Sequence, residues 1–181
     1  MRFSPCRKRF DLFVVLMLLA LFAASCSLGA APEPTAEAVT AVIGELRGQV
    51  LVRSPGQEDF APATLDQVLQ PGAELTTQED GFVRLDFSNG TIVRVAPSST
   101  FTLQLIEPLP EGLLTRLKLQ AGELWIILTG GEMDVETPSG LAAVRGSFMH
   151  VVVAADSGAA NVDCLEGDCE FSNNAGAAPL I

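Results

Sequence analysis

Few side chains in this sequence can do chemistry, and they are scattered. His150 is the only histidine and Trp125 the only tryptophan, and there is no tyrosine. Ser-His-Asp catalysis would have to use His150, yet Met149-His150-Val151-Val152-Val153 sets that ring within an apolar strand. A histidine so placed serves as a structural or exposed residue rather than a general base. Asp134 and Glu136 stand two apart, so they share one face of a strand. Paired carboxylates cleave glycosides only when they flank a sugar cleft. With 22 Asp and Glu in the chain, such pairs arise without a catalytic reason. No Gly-rich phosphate loop is present, since Gly130-Gly131 reads as a turn. The inventory predicts no catalytic residue, no cofactor and no metal.

Two residues suit binding better than catalysis. Trp125 offers a ring on which a sugar could stack, although core packing is the simpler expectation inside an apolar run. Arg145, between two predicted strands, either recognises an anionic ligand or clamps a carboxylate across a turn.

The cysteines point to export. Cys6 and Cys26 lie near the amino terminus, leaving Cys164 and Cys169 around Leu165-Glu166-Gly167-Asp168. A four-residue turn centred on Gly167 predicts a hairpin with the two cysteines opposed, at a separation a disulfide bridges. Closing so small a ring contributes about 2 kcal/mol in the chain-entropy model. The alternative is metal binding with His150, or with Glu166, Asp168 and Glu170. Two thiols and one distant histidine make a poor zinc set, which favours the disulfide.

The first residues read as a targeting segment. Arg2, Arg7, Lys8 and Arg9 precede an apolar run, Leu12 to Ala24, of 13 residues. That run is shorter than the roughly 20 residues of a membrane-spanning helix and suits a signal peptide. It ends in Ala23-Ala24-Ser25-Cys26, which resembles a bacterial lipobox. An ordinary signal peptide with an incidental cysteine is the alternative. Lipidation at Cys26 would anchor the mature chain by two or three acyl chains. The expected division is a signal peptide over 1–25, a flexible Ala/Pro/Glu/Thr tether over 26–40, a domain over 41–172 and a tail over 173–181.

Charge narrows the partners. The chain holds 11 Lys and Arg against 22 Asp and Glu, a net −11. Beyond residue 25 the balance is seven basic against 21 acidic residues. Nucleic acid is excluded as a partner, because phosphate contacts need Lys and Arg.

The elements that carry these residues are strands. Period-two alternation recurs through Val83, Leu85 and Phe87; Thr91, Val93 and Val95; Phe101, Leu103 and Leu105; Leu117 and Leu119; Met133 and Val135. Leu124–Leu128 and Phe148–Ala155 are apolar on both faces, the pattern of central, doubly covered strands. Turn signals separate them, among them Pro71-Gly72, Asp80-Gly81, Asn89-Gly90 and Pro138-Ser139-Gly140. Several glycines recur nine apart: Gly72, Gly81 and Gly90; Gly122, Gly131 and Gly140; Gly158 and Gly167. The prediction is an all-β domain of short strands with Gly turns, either a small β-solenoid or a β-sandwich-like fold.

In order and spacing, several motifs resemble the FecR domain, an extracytoplasmic β module. They are Gly48-Gln49-Val50-Leu51-Val52; Leu69 to Thr77 around Pro71-Gly72; and Val83-Arg84-Leu85-Asp86-Phe87-Ser88-Asn89-Gly90 with Val93 to Ser99. Leu119-Gln120-Ala121-Gly122-Glu123-Leu124-Trp125, Thr137-Pro138, Val144-Arg145-Gly146-Ser147-Phe148 and Leu165-Glu166-Gly167 follow. Ala73-Glu74, Asn89 and Ser147 depart from the usual Gly-Asp, Asp and Thr. The short basic stretch before the apolar run has no room for the anti-sigma region of the namesake proteins. Sigma-factor regulation is therefore not carried over. The resemblance implies a non-catalytic FecR-type domain, lipid-anchored outside the bacterial cell membrane, that binds or senses an envelope protein partner or ligand. An envelope carbohydrate-binding protein or hydrolase is the alternative.

Overall fold

The computed structural model describes residues 40–109 and 112–180. The expected signal peptide over 1–25, Cys26 and the expected tether as far as residue 39 lie outside the described residues. Thirteen strands follow in order: β1 (Ala41–Arg47), β2 (Val50–Arg53), β3 (Ala61–Pro62), β4 (Val68–Leu69), β5 (Glu74–Thr77), β6 (Phe82–Phe87), β7 (Ile92–Val95), β8 (Thr100–Leu109), β9 (Gly112–Ile127), β10 (Glu132–Thr137), β11 (Gly140–Val153), β12 (Ala160–Asn173) and β13 (Gly176–Leu180). The fold is all-β, and no helix occurs among the described residues.

The pairings resolve into two layers joined by three long strands. One layer runs β4-β1-β6-β7, then the second halves of β9 and β11, then the first half of β12. The other runs β3-β2-β5-β8, then the first half of β9, then β10, the first half of β11, the second half of β12, and β13. Because β9, β10 and β11 each pair with the other two, the layers are closed along that side. Only β9–β10 is parallel; the other pairings are antiparallel. The all-β expectation holds, but the architecture is a closed five-stranded barrel with extra strands, which neither the solenoid nor the sandwich-like expectation described.

The core lies between the layers and follows the alternation. Val83, Leu85, Val93, Val95, Phe101, Leu103, Leu117, Leu119, Met133 and Val135 are all fully buried. Each such aliphatic or aromatic side chain contributes about 1.5–3 kcal/mol relative to an exposed position. Leu105 departs from its predicted face. A register shift between Leu103 and Leu105 in β8 takes it out of the buried set, and Ile106 packs against the core instead.

The long strands cross from one layer to the other by a shared device. In β9 the inward residues are Thr115, Leu117 and Leu119, then Leu124 and Ile126. In β11 they are Ala142 and Val144, then Met149, Val151 and Val153. In β12, Val162 and Cys164 face the core, then Cys169 and Phe171. Each strand passes from odd to even numbering, or the reverse, across a five-residue step. Each step contains a glycine of positive φ: Gly122 (101°), Gly146 (134°) and Gly167 (94°). A side chain at Gly122 would overlap the backbone of Ser99, and one at Gly146 would come within 2.8 Å of Gly167 Cα. These glycines are corners, where a strand changes layers and its side chains change face.

Two expectations are corrected here. Residues 164–169 form no hairpin: both cysteines belong to the single strand β12, and the chain continues in the same direction past Gly167. The disulfide is present, with the Cα atoms 5.9 Å apart, because the corner folds five residues into that span. It staples the bend of β12. The region assigned to a tail also differs, since Gly176–Leu180 forms β13 against β12.

Replacing Gly146 by Ala combines backbone strain with a backbone clash and should lower unfolding stability by about 3 kcal/mol or more. Gly56, at φ 77° with open space around it, is the control. Gly56→Ala should cost only about 1 kcal/mol, the strain of a left-handed alanine. Urea unfolding of the two variants checks the contrast.

Candidate functional site

The outer face of the first layer carries a row of side chains in cross-strand register: Arg84 on β6, Arg94 on β7, Trp125 on β9, His150 on β11 and Asp163 on β12. A second row places Ile92, Ile127, Phe148 and Glu166 side by side. Trp125 was expected in the core. It lies half-buried on the outer face instead, because the corner at Gly122 turns the odd-numbered residues outward while Leu124 and Ile126 fill the interior. Only one face of Leu124–Leu128 is therefore core.

The indole and imidazole rings stack with centroids 3.8 Å apart and planes inclined by 19°. Phe148 leans on the same indole at 5.8 Å. Two carboxylates lock the stack. Trp125 Nε1 donates to Glu123 Oε1 at 2.6 Å, and His150 Nε2 lies 3.0 Å from that same oxygen. His150 Nδ1 lies 3.2 Å from Asp163 Oδ2, which also accepts from Asn161 Nδ2 at 3.1 Å. A neutral imidazole has one donor, so only the imidazolium donates to both carboxylates at once. The histidine side chain is 14% exposed. No serine or cysteine side chain hydrogen-bonds it among the described residues, so the nucleophile–base contact of a triad is missing there. The ring's contacts are those of a structural clamp.

Beside the stack lies a hollow of about 320 Å³, lined by Trp125, His150, Val162, Asp163, Cys164, Leu165 and Leu180. Leu165 is 53% exposed, one of the few large apolar residues so open to solvent among the described residues. Arg145 lines a different hollow of about 260 Å³, together with Asp168, Cys169, Glu170 and Leu180. Its Nε sits 3.3 Å from Glu132 Oε2, and the side chain stays largely exposed. The two candidate binding residues are thus held apart, with Leu180 as the wall common to both hollows.

Asp134 and Glu136 lie on the outer face of the second layer, away from His150. Asp134 pairs with Arg116 at 2.9 Å and Glu136 with Lys118 at 2.9 Å, partners aligned by the parallel register of β9 and β10. Gln104 Nε2 adds a bond to Glu136 at 3.0 Å. These contacts make a cross-strand charge ladder, with neither carboxylate free to act on a substrate. No group of three or more His, Cys, Asp and Glu among the described residues is arranged to hold a metal ion.

The residues that sequence reasoning missed are Glu123, Asn161, Asp163 and Leu165. The contacts of Glu123 and Asp163 with His150 span 27 and 13 residues. Only strand register brings them together, and no local motif encodes it.

Glu136 is held below its ordinary value of 4.5, first by the hydrogen bond from Lys118 and then by that from Gln104. A lowered folded value stabilises the protein above the unfolded value, and this contribution is lost as pH falls through the folded one. Its side chain is 41% exposed, so solvent screens the pair and the effect is small. Glu136→Gln should lower stability slightly at neutral pH and flatten the further loss below pH 4.5. Urea unfolding across the acid range checks this.

No curated protein and no solved structure matches the chain. The family model described as FecR protein matches residues 73–170. That stretch contains the three corner glycines, the stack with Glu123 and Asp163, and both disulfide cysteines. Spanning more than half of the sequence, the match establishes that the chain belongs to the FecR family.

Proposed function

We propose that this FecR-family chain is a non-catalytic module that is exported, anchored by lipid at Cys26 on the extracytoplasmic side of the membrane, and binds or senses an envelope protein partner. The observation that carries the binding role is the outer face of the first layer. There an aromatic pair is locked in place beside a hollow, and the only histidine is tied to two carboxylates. Preformed rings on a rigid sheet suit recognition, because little side-chain freedom is lost on contact. Ala23-Ala24-Ser25-Cys26 and the Ala/Pro/Glu/Thr stretch after it support the anchor and a spacer.

The outward placement of Trp125 favours a second reading, an envelope carbohydrate-binding protein, since an indole beside carboxylates is a surface on which sugar rings stack. Retention on purified cell wall, lost in Trp125→Ala, would select that reading. Retention of neither form leaves the protein partner.

Metabolic labelling with a fatty-acid probe tests the anchor. The parent chain should incorporate label and partition with membranes, whereas Cys26→Ala should lose both. Label persisting in Cys26→Ala contradicts lipidation at that residue.

A further inference from the structure

We propose that the hollow beside Trp125 binds a basic side chain, Lys or Arg, presented by a partner polypeptide. This deepens the binding role proposed above and rests on it.

The lining has the two-part chemistry of such a side chain. Val162, Leu165, Leu180 and the indole of Trp125 supply apolar wall, and Asp163 supplies the charge. Lys and Arg have the matching form, an apolar stem with a cationic head. Asp163 Oδ2 is occupied by His150 and Asn161, while Oδ1 takes no hydrogen bond among the described residues. The side chain is 49% exposed, so that oxygen has solvent to exchange for a donor.

The lining of the hollow holds one carboxylate, Asp163, with His150 as its partner, and no Arg or Lys. Asp163, Glu166, Asp168 and Glu170 follow one another along β12, and none has an Arg or Lys within 4.0 Å among the described residues. Arg47, Arg53, Arg84, Arg116, Lys118 and Arg145 are each paired with other carboxylates. Arg94 stands across the indole on β7 and does not line the hollow. A lining whose one carboxylate has no Arg or Lys beside it favours a basic side chain over an acidic one.

The site is also preorganised. Glu123 and the ring stack hold Trp125, and His150 with Asn161 holds Asp163. The Cys164–Cys169 disulfide restrains the segment that carries Leu165. That leucine is left exposed with no core to join, as a contact residue would be.

Because Trp125 is the sole tryptophan and tyrosine is absent, its fluorescence reads this site alone. Full-length protein in detergent is titrated with deca-lysine, deca-arginine, deca-glutamate and a neutral Ser/Gly decapeptide. Saturable changes are expected with the two basic peptides only, weakened by added salt. Asp163→Asn should raise the dissociation constant about tenfold, equivalent to about 1.4 kcal/mol for a charge-assisted contact. Leu165→Ser, which removes no hydrogen bond, should also weaken binding and so keeps the test independent of the His150 clamp. Equal affinity in both variants, a response to deca-glutamate, or spermidine binding as tightly as the peptides would overturn the proposal. Cross-linking in native membranes separates the two levels. A partner recovered equally by Asp163→Asn removes this hollow but leaves the binding role, whereas no partner for the parent chain removes the binding role itself.

Discussion

Every later feature of the molecule depends on how β9, β11 and β12 turn from one layer into the other. A strand that bends without changing the parity of its inward residues would carry Trp125, Phe148 and His150 into the interior. Each corner instead inserts a five-residue step around a glycine of positive φ, and the outward set becomes odd in β9 and even in β11. Two independent corners must both reverse for Trp125 and His150 to meet, since the rings belong to different strands. The outer-face stack is therefore a consequence of backbone geometry before it is a matter of side-chain chemistry. The same step in β12 brings Cys164 and Cys169 within bonding distance, so the disulfide secures a bend that the glycine permits.

The acidic surface divides by element. On the second layer, Arg116 and Lys118 neutralise Asp134 and Glu136 across a parallel ladder, and those charges are consumed within the sheet. Arg84 does the same for Asp86 on the first layer. Along β12 no Arg or Lys does so among the described residues: Asp163 is held by His150 beside the ring stack, and Glu166, Asp168 and Glu170 follow it. Bulk charge of −11 describes neither region; what matters is where the few cations stand.

Much of this was legible in the sequence. Alternation at Val83–Phe87, Thr91–Val95 and Met133–Val135 predicts strands whose buried faces are the observed ones, because period two is a local property. Glycine spacing was less informative. A tight turn and a layer-crossing corner both need positive φ, so Gly90 in a turn and Gly167 inside a strand look alike until the path beyond each is known. For that reason the cysteine pair was read as a hairpin. The site was least legible: Trp125 sits in a run that is apolar at every position, and its clamp comes from Glu123, His150 and Asp163 through registers that only the folded sheet defines. The motifs around Gly122 and Gly146, which carried the resemblance to the FecR domain, prove to be the corners themselves.

The change of face across Gly122 can be measured by thiol labelling of single cysteine substitutions at Leu117, Lys118, Trp125 and Ile126 in the folded chain, each compared with the parent. The account predicts rapid labelling at 118 and 125 and protection at 117 and 126, an even position exposed before the corner and an odd one after it. Labelling of the same parity on both sides of Gly122 would contradict the corner, and with it the outward placement of Trp125.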